Sequence, residues 1–142
     1  MTDQKTKEST GVFKALSVLA ILWNLMGVLA FAAQMFVSAE DMAKLPAEQQ
    51  FLYSSIPAYA NIAFAVAVFG GLFGSIGLIM RKSWSSPLLI ASLTGIILQQ
   101  SHMYFFSDTM KVMGPSAAIM PTVVLIIAIA LIPFSRAWTI SN

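Results

Sequence analysis

PAYANIAFAVAVFGGLFGSIGLIM, residues 57–80, carries no charged side chain from end to end. A helix needs roughly 20 predominantly apolar residues to cross a bilayer core, so this run is long enough to span one. Its small residues are also ordered. Ala60, Ala63, Ala67, Gly70, Gly74 and Gly77 recur at alternating steps of three and four, which places them on one face of a helix. Such a face lets a second backbone approach closely, a main source of helix association in lipid. Ala67, Gly70, Gly74 and Gly77 are therefore expected to form a helix-packing seam, either within one bundle or between two copies.

Three more apolar runs flank this one. Upstream, no charge lies between Lys14 and Glu40, which predicts a span over about 12–37. Downstream, spans are expected over about 87–106 and 116–134. The fold class expected is all-α: a polytopic membrane protein, a four-transmembrane-helix bundle over 12–138. A polar N-terminal tail (1–11) and a C-terminal tail (139–142) flank it. A secretory leader is the competing reading of the first run, because Lys5, Lys7 and Lys14 precede it and Val37-Ser38-Ala39 ends it. That run is longer than the roughly 7–15 apolar residues of a leader, which favours a retained span.

The connections are polar and short. Ser38-Ala39-Glu40-Asp41 has the pattern of an N-cap followed by acidic first-turn residues, which suits the positive end of a helix dipole. Pro46 begins a second piece, 46–54, whose Phe51 and Leu52 give it an apolar side. It is expected to lie in the interface as a short helical segment of the first outer loop. Pro87 suits the first turn of the third span. Gly114-Pro115 closes the loop before the fourth, where Pro121 and Pro133 are candidates for kinks.

Composition agrees with lipid as the solvent. Of 142 residues, 58% are apolar and only 10% charged, against about 25% charged in soluble domains. Mean hydropathy is +0.79. The net charge of +2 gathers in no basic cluster longer than Arg81-Lys82, so nucleic acid is not an expected partner. The chain has no cysteine; disulfides, thiolate metal sites and cysteine nucleophiles are excluded.

Basic residues set the expected orientation. With the N-terminus inside, Lys5, Lys7, Lys14, Arg81, Lys82 and Arg136 face the cytoplasm, and only Lys44 and Lys111 lie outside. The excess of Lys and Arg on cytoplasmic loops then predicts both termini inside, in a cell (inner) membrane. Trp84 and Trp138 would form the inner aromatic belt, and Tyr53, Tyr59 and Tyr104 the outer one.

Leu22-Trp23-Asn24-Leu25-Met26-Gly27, then Pro57-Ala58-Tyr59, then AVAVFGGLFG over 65–74, then Arg81-Lys82-Ser83-Trp84 ahead of Pro87-Leu88 form a distinctive series. The chain resembles in these a family of small uncharacterised bacterial four-helix membrane proteins, often loosely labelled "sugar transporter". The resemblance covers most of the chain and implies a transport-related role. It carries no mechanism, and function still has to be argued from a site.

Ion-coupled transport usually shows as an ionisable residue inside a span. No Asp, Glu, Lys or Arg lies in the middle of any run, and His102 is the one histidine. No nucleophile–base constellation, metal set or cofactor motif stands out, so no catalytic residue, metal or cofactor is expected, and an enzyme is not. The uncharged polar residues are more informative. Trp23, Gln34 and neighbouring Asn24 lie on one side of the first span, Gly95, Gln99 and His102 on one face of the third, and Asn61 near the outer end of the second. At 1.5 Å per residue, Gln34, Asn61 and His102 fall near the outer surface, with Asn24 and Gln99 deeper. The candidate ligand-binding set is therefore Trp23, Asn24, Gln34, Asn61, Gln99 and His102, lining a pocket open to the outside with the 46–54 segment as its lid. The bland alternative is that these groups only hydrogen-bond helix to helix.

Two functions follow. One is a small membrane protein binding or transporting a small neutral or amphipathic solute through an outward-facing polar pocket. The other is a non-catalytic accessory or structural subunit of a larger membrane complex. The bilayer is the expected partner in both, and a homodimer is open in both.

Overall fold

The computed structural model describes residues 2–140, with side chains described for 10–137. All regular structure in this range is helical. The long helices are α1 (Thr2–Met35), α4 (Ala58–Ile79), α5 (Ser85–Ser101) and α7 (Ile119–Ile140). Short helices α2 (Ala39–Ala43), α3 (Ala47–Ser54) and α6 (Thr109–Met113) sit in the connections at one end. A π-helical turn, His102–Phe106, continues α5, and a 3-10 turn, Pro115–Ala118, leads into α7.

Among the described residues three segments are long and apolar enough to cross a membrane: Thr10–Met35, Ala58–Ile79 and Pro115–Ala137. The protein is a multi-pass helical membrane protein. The expected third span differs from the other three in construction. Its α-helical part stops after 17 residues and widens into the π turn. Helical geometry also continues back through the polar residues ahead of the first span to Thr2. Residues 141–142 and the Trp138 side chain, expected in the inner aromatic belt, lie outside the described residues.

The caps follow local chemistry. The Ser38 hydroxyl accepts a hydrogen bond from the Asp41 N–H and caps α2, and Glu40 and Asp41 occupy its first turn, where carboxylates are favoured. At the end of α4, the Lys82 N–H bonds to the Gly77 carbonyl and the Arg81 N–H to that of Leu78. This is the Schellman arrangement, with Arg81 at φ 56° where glycine is usual. Pro121 sits in the first turn of α7, where the missing N–H has no helical partner to lose; Pro133 is the interior proline of that helix.

Charges separate between the two ends. Among the described side chains Lys14, Arg81, Lys82 and Arg136 lie at one end. All the described carboxylates, Glu40, Asp41, Glu48 and Asp108, lie at the other, with Lys44 and Lys111 paired to them. We call these the basic end and the capped end.

The central pair is α4–α5. In lipid, no hydrophobic gain separates a helix–helix contact from a helix–lipid contact, so close packing and hydrogen bonds must hold the pair. Both are present. Ala60, Ala63, Ala67, Gly74 and Gly77 are buried, and a Cβ on Gly74 would fall 2.8 Å from the Leu89 side chain. One on Gly70 would fall 3.1 Å from the Leu88 carbonyl oxygen, and one on Gly77 2.8 Å from the Trp84 ring. From the other side, a Cβ on Gly95 would lie 2.6 Å from the Ala63 carbonyl oxygen and 2.9 Å from the Ala67 nitrogen. Only glycine permits that approach. Ser92 Oγ donates to the Ala67 carbonyl, and Ser85 Oγ to the Gly74 carbonyl at 2.8 Å. The small-residue stripe thus lies against α5 of the same chain.

Of the outer helices, α1 packs chiefly on α4 and α7 chiefly on α5. Phe31 of α1 meets Phe64 and Phe69 of α4 at 5.3 and 5.9 Å between ring centroids. Among the described residues α1 and α7 do not pack along their length. They meet near the basic end, where Phe13 and Phe134 stack at 4.9 Å above a cluster built on buried Leu78 and Leu89. Away from that stack the two helices part.

Candidate functional site

The parting of α1 and α7 leaves a cavity of about 340 Å³ between all four long helices. Ligand pockets run from ~300 Å³ upward, so this is more than a packing defect. α1 supplies Trp23, Asn24 and Gly27; α5 supplies Ser92, Gln99 and Gln100; α7 supplies an apolar wall that includes Ala128 and Leu131. A second cavity of about 290 Å³ lies toward the capped end. Gln34, Gln49, Tyr53, His102, Ser107 and Thr109 give it its polar groups, and Leu52 of α3 helps to cover it. Gln99 and Met103 line both cavities, so the two adjoin at that level. Among the described residues no Asp, Glu, Lys or Arg lines either one.

The six residues singled out from sequence divide between these spaces. Trp23, Asn24 and Gln99 line the deep cavity, and Gln34, Gln99 and His102 the outer one. Asn61 lines neither; its Oδ1 accepts a hydrogen bond from Gln34 Nε2 at 3.1 Å. Asn24 is likewise engaged, its Nδ2 donating to the Ala20 carbonyl at 2.8 Å and to Ser75 Oγ at 3.2 Å. Ser75 Oγ donates on to the Gly71 carbonyl at 2.7 Å. Gly71 is required there because a Cβ would collide with Asn24 Oδ1. His102 Nδ1 and the Tyr59 hydroxyl are 3.1 Å apart. Gln100, unlike its neighbour, is committed to structure, with Nε2 donating to the Pro121 carbonyl at 2.7 Å.

Trp23 and Gln99 differ from the rest. Among the described residues neither the Trp23 indole N–H nor the Gln99 amide has a hydrogen-bond partner, and both groups line the deep cavity. Both residues are half-buried, so these are the polar groups left available to an occupant of the cavity. The site is thus a largely apolar chamber whose wall carries the Trp23 indole and the Gln99 amide, adjoining a more polar second chamber at Gln99 and Met103.

Sequence reasoning overlooked the α7 wall and Met103, which are uniformly apolar and leave no polar signal in their helices. It also overlooked the Tyr59–His102 pair, although each residue was noticed separately. Gly71 lies off the regular stripe; its adjacency to Gly70 was the available hint.

Compared with protein-family models, curated proteins and solved structures, the chain finds no significant match. The class defined by the fold is a small multi-pass helical membrane protein, and its role is argued from the cavities.

Proposed function

We propose that this protein binds or moves a small neutral or amphipathic solute through the paired cavities, without transforming it. The observation that carries this reading is the deep cavity with Trp23 and Gln99 unpartnered at its wall. The absence of charged lining favours an uncharged solute, because an ion would lose its hydration with nothing to replace it. The spacing of Trp23-Asn24, Pro57-Ala58-Tyr59 and Arg81-Lys82-Ser83-Trp84 supports membership in the small bacterial membrane family that it resembles.

The same proposal includes a fourth crossing, by α5 together with its π extension, and both termini in the cytoplasm of a cell (inner) membrane. The separation of charges between the two ends supports that orientation. Cysteine labelling suits a chain with no cysteine of its own. Ser83→Cys should resist an impermeant thiol reagent in intact cells and Glu48→Cys should react; the reverse pattern would invert the topology.

Thermal unfolding of the purified protein against neutral sugars, polyols and uncharged amphiphiles tests binding. At least one class should raise Tm. Gln99→Leu should abolish that rise yet leave the empty protein within about 0.5 kcal/mol of the parent, because no native hydrogen bond is lost. The accessory-subunit reading draws on the Gln34–Asn61 and Asn24–Ser75 bonds, in which polar residues serve as glue. Stoichiometric co-purification with a larger complex, with no stabilising solute, would favour it.

A further inference from the structure

We infer that the occupant is an uncharged single-chain lipid with a hydroxylated head, of the monoacylglycerol kind, and that it enters sideways from the bilayer between α1 and α7. This rests on the solute-binding reading above and gives that solute a chemical class and a route.

The route follows from the lips of the cavity. Met26 of α1 and Met120 of α7 both line the deep cavity, yet they are 64% and 61% exposed. A residue that is both lining and exposed stands at a mouth. Counting up α1 from Phe13 and back along α7 from Phe134 at 1.5 Å per residue brings Met26 level with Met120. Both lie inside segments long and apolar enough to cross a membrane. Around them Leu22, Leu29, Val123 and Ile126 are exposed as well. The mouth therefore faces hydrocarbon rather than water. Methionine is flexible and tolerates a passing chain better than a branched side chain would. Toward the basic end the Phe13–Phe134 stack closes the cleft, so the opening is confined to the part of the cleft nearer the capped end.

The chemical class follows from the order of the two cavities. The deep one is walled by Val68, Ile96, Ile127 and Leu131 and suits a hydrocarbon tail. The outer one offers Gln34, Gln49, Tyr53, His102, Ser107 and Thr109, donors and acceptors without fixed charge. Gln99 stands at the junction and its amide is free to bond the linkage between tail and head. A carboxylate or phosphate head would meet no Lys or Arg there; a hydroxylated head would meet many hydrogen-bonding partners. Two-chain phospholipids ask for more room than cavities of about 340 and 290 Å³ provide.

The test uses the indole at the cavity wall as a reporter. With Trp84→Phe and Trp138→Phe, Trp23 is the remaining tryptophan of three. The protein is placed in phosphatidylcholine nanodiscs, and Trp23 fluorescence is followed on adding 1-(9,10-dibromostearoyl)glycerol, 9,10-dibromostearic acid or a dibrominated phosphatidylcholine. Bromines quench only in near contact. Saturable quenching by the monoacylglycerol is expected, at least tenfold tighter than by the acid. Met26→Phe or Ala30→Phe, which narrow the mouth, should weaken or slow it about tenfold, and Leu29→Phe, exposed but off the cavity, should not. Thermal unfolding of each variant confirms folding. Equal or unsaturable quenching by all three probes overturns the proposal, since it marks ordinary boundary lipid. Quenching unchanged by Met26→Phe and Ala30→Phe overturns the lateral route. If no brominated probe quenches but a water-soluble neutral solute still raises Tm, the lipid class falls and solute binding stands. If neither occurs, both fall. Cross-linking of Met26→Cys copies to one another, without quenching, would show the cleft to be a subunit interface instead.

Discussion

The α4–α5 pair and the α1–α7 pair are built from similar apolar runs, yet one is closed along its length and the other splayed. Between α4 and α5, glycine and serine bring backbone to backbone, and serine hydroxyls donate across the seam to Ala67 and Gly74. Between α1 and α7 the cavity-lining side chains include Met26, Met120, Ile127 and Leu131, and the two helices meet at the Phe13–Phe134 stack near the basic end. Lipid tails compete with such side chains on nearly equal terms, so nothing draws those two helices together. What separates a seam from a cleft in a membrane is thus small residues and hydrogen bonds, not apolar content.

The strongest way to break this comparison is to remove the close approach. Gly95→Leu would drive a side chain into the backbone of Ala63 and Ala67, which cannot yield as a side chain can. Loss of more than about 3 kcal/mol, or loss of folded protein, is expected. Unfolding in mild detergent measures it beside Val66→Leu, which is exposed and should change little. Equal tolerance of the two would show that the seam does not organise the bundle.

Asn24→Leu comes next. It removes the bonds to Ala20 and Ser75 and presses a branched side chain toward Gly71. A loss of about 1–2 kcal/mol is expected. Asn24→Leu with Ser75→Ala should cost less than the sum of the two single changes, and strict additivity would show that the bond carries no energy.

The smallest effect sharpens the contrast at the capped end. Gln34→Leu or Asn61→Leu breaks one amide–amide bond, with an expected cost of about 0.6 kcal/mol read from the same unfolding curves. If either change instead stabilises the protein, the pair is strained rather than cohesive.

How much was legible beforehand varies with the kind of signal. The 57–80 run announced a span because length and lack of charge are sums along the chain. Its alternating small residues announced a packing face because helical period turns spacing into direction. The third run was legible as apolar and helical, but its change to π geometry at His102 was not, since composition does not encode hydrogen-bond register. In the site, residues with an amide or indole stood out against an apolar background, and Trp23 and Gln99 proved to share a cavity. Asn61 stood out equally and turned away to bond Gln34.

By itself, then, the sequence determined the solvent of this protein, the apolar runs that could cross it and the face on which α4 would be gripped. Those follow from residue type and spacing within single segments. Only the tertiary structure decided that α1 and α7 would not pack along their length, that Met26 and Met120 would line one cavity while staying exposed, and that Gln99 would find no partner among the described residues. Each of these depends on the relative placement of two helices distant in sequence. In lipid that placement is set by a few close contacts, so a small change in packing elsewhere opens or closes a cavity without altering any run of hydropathy.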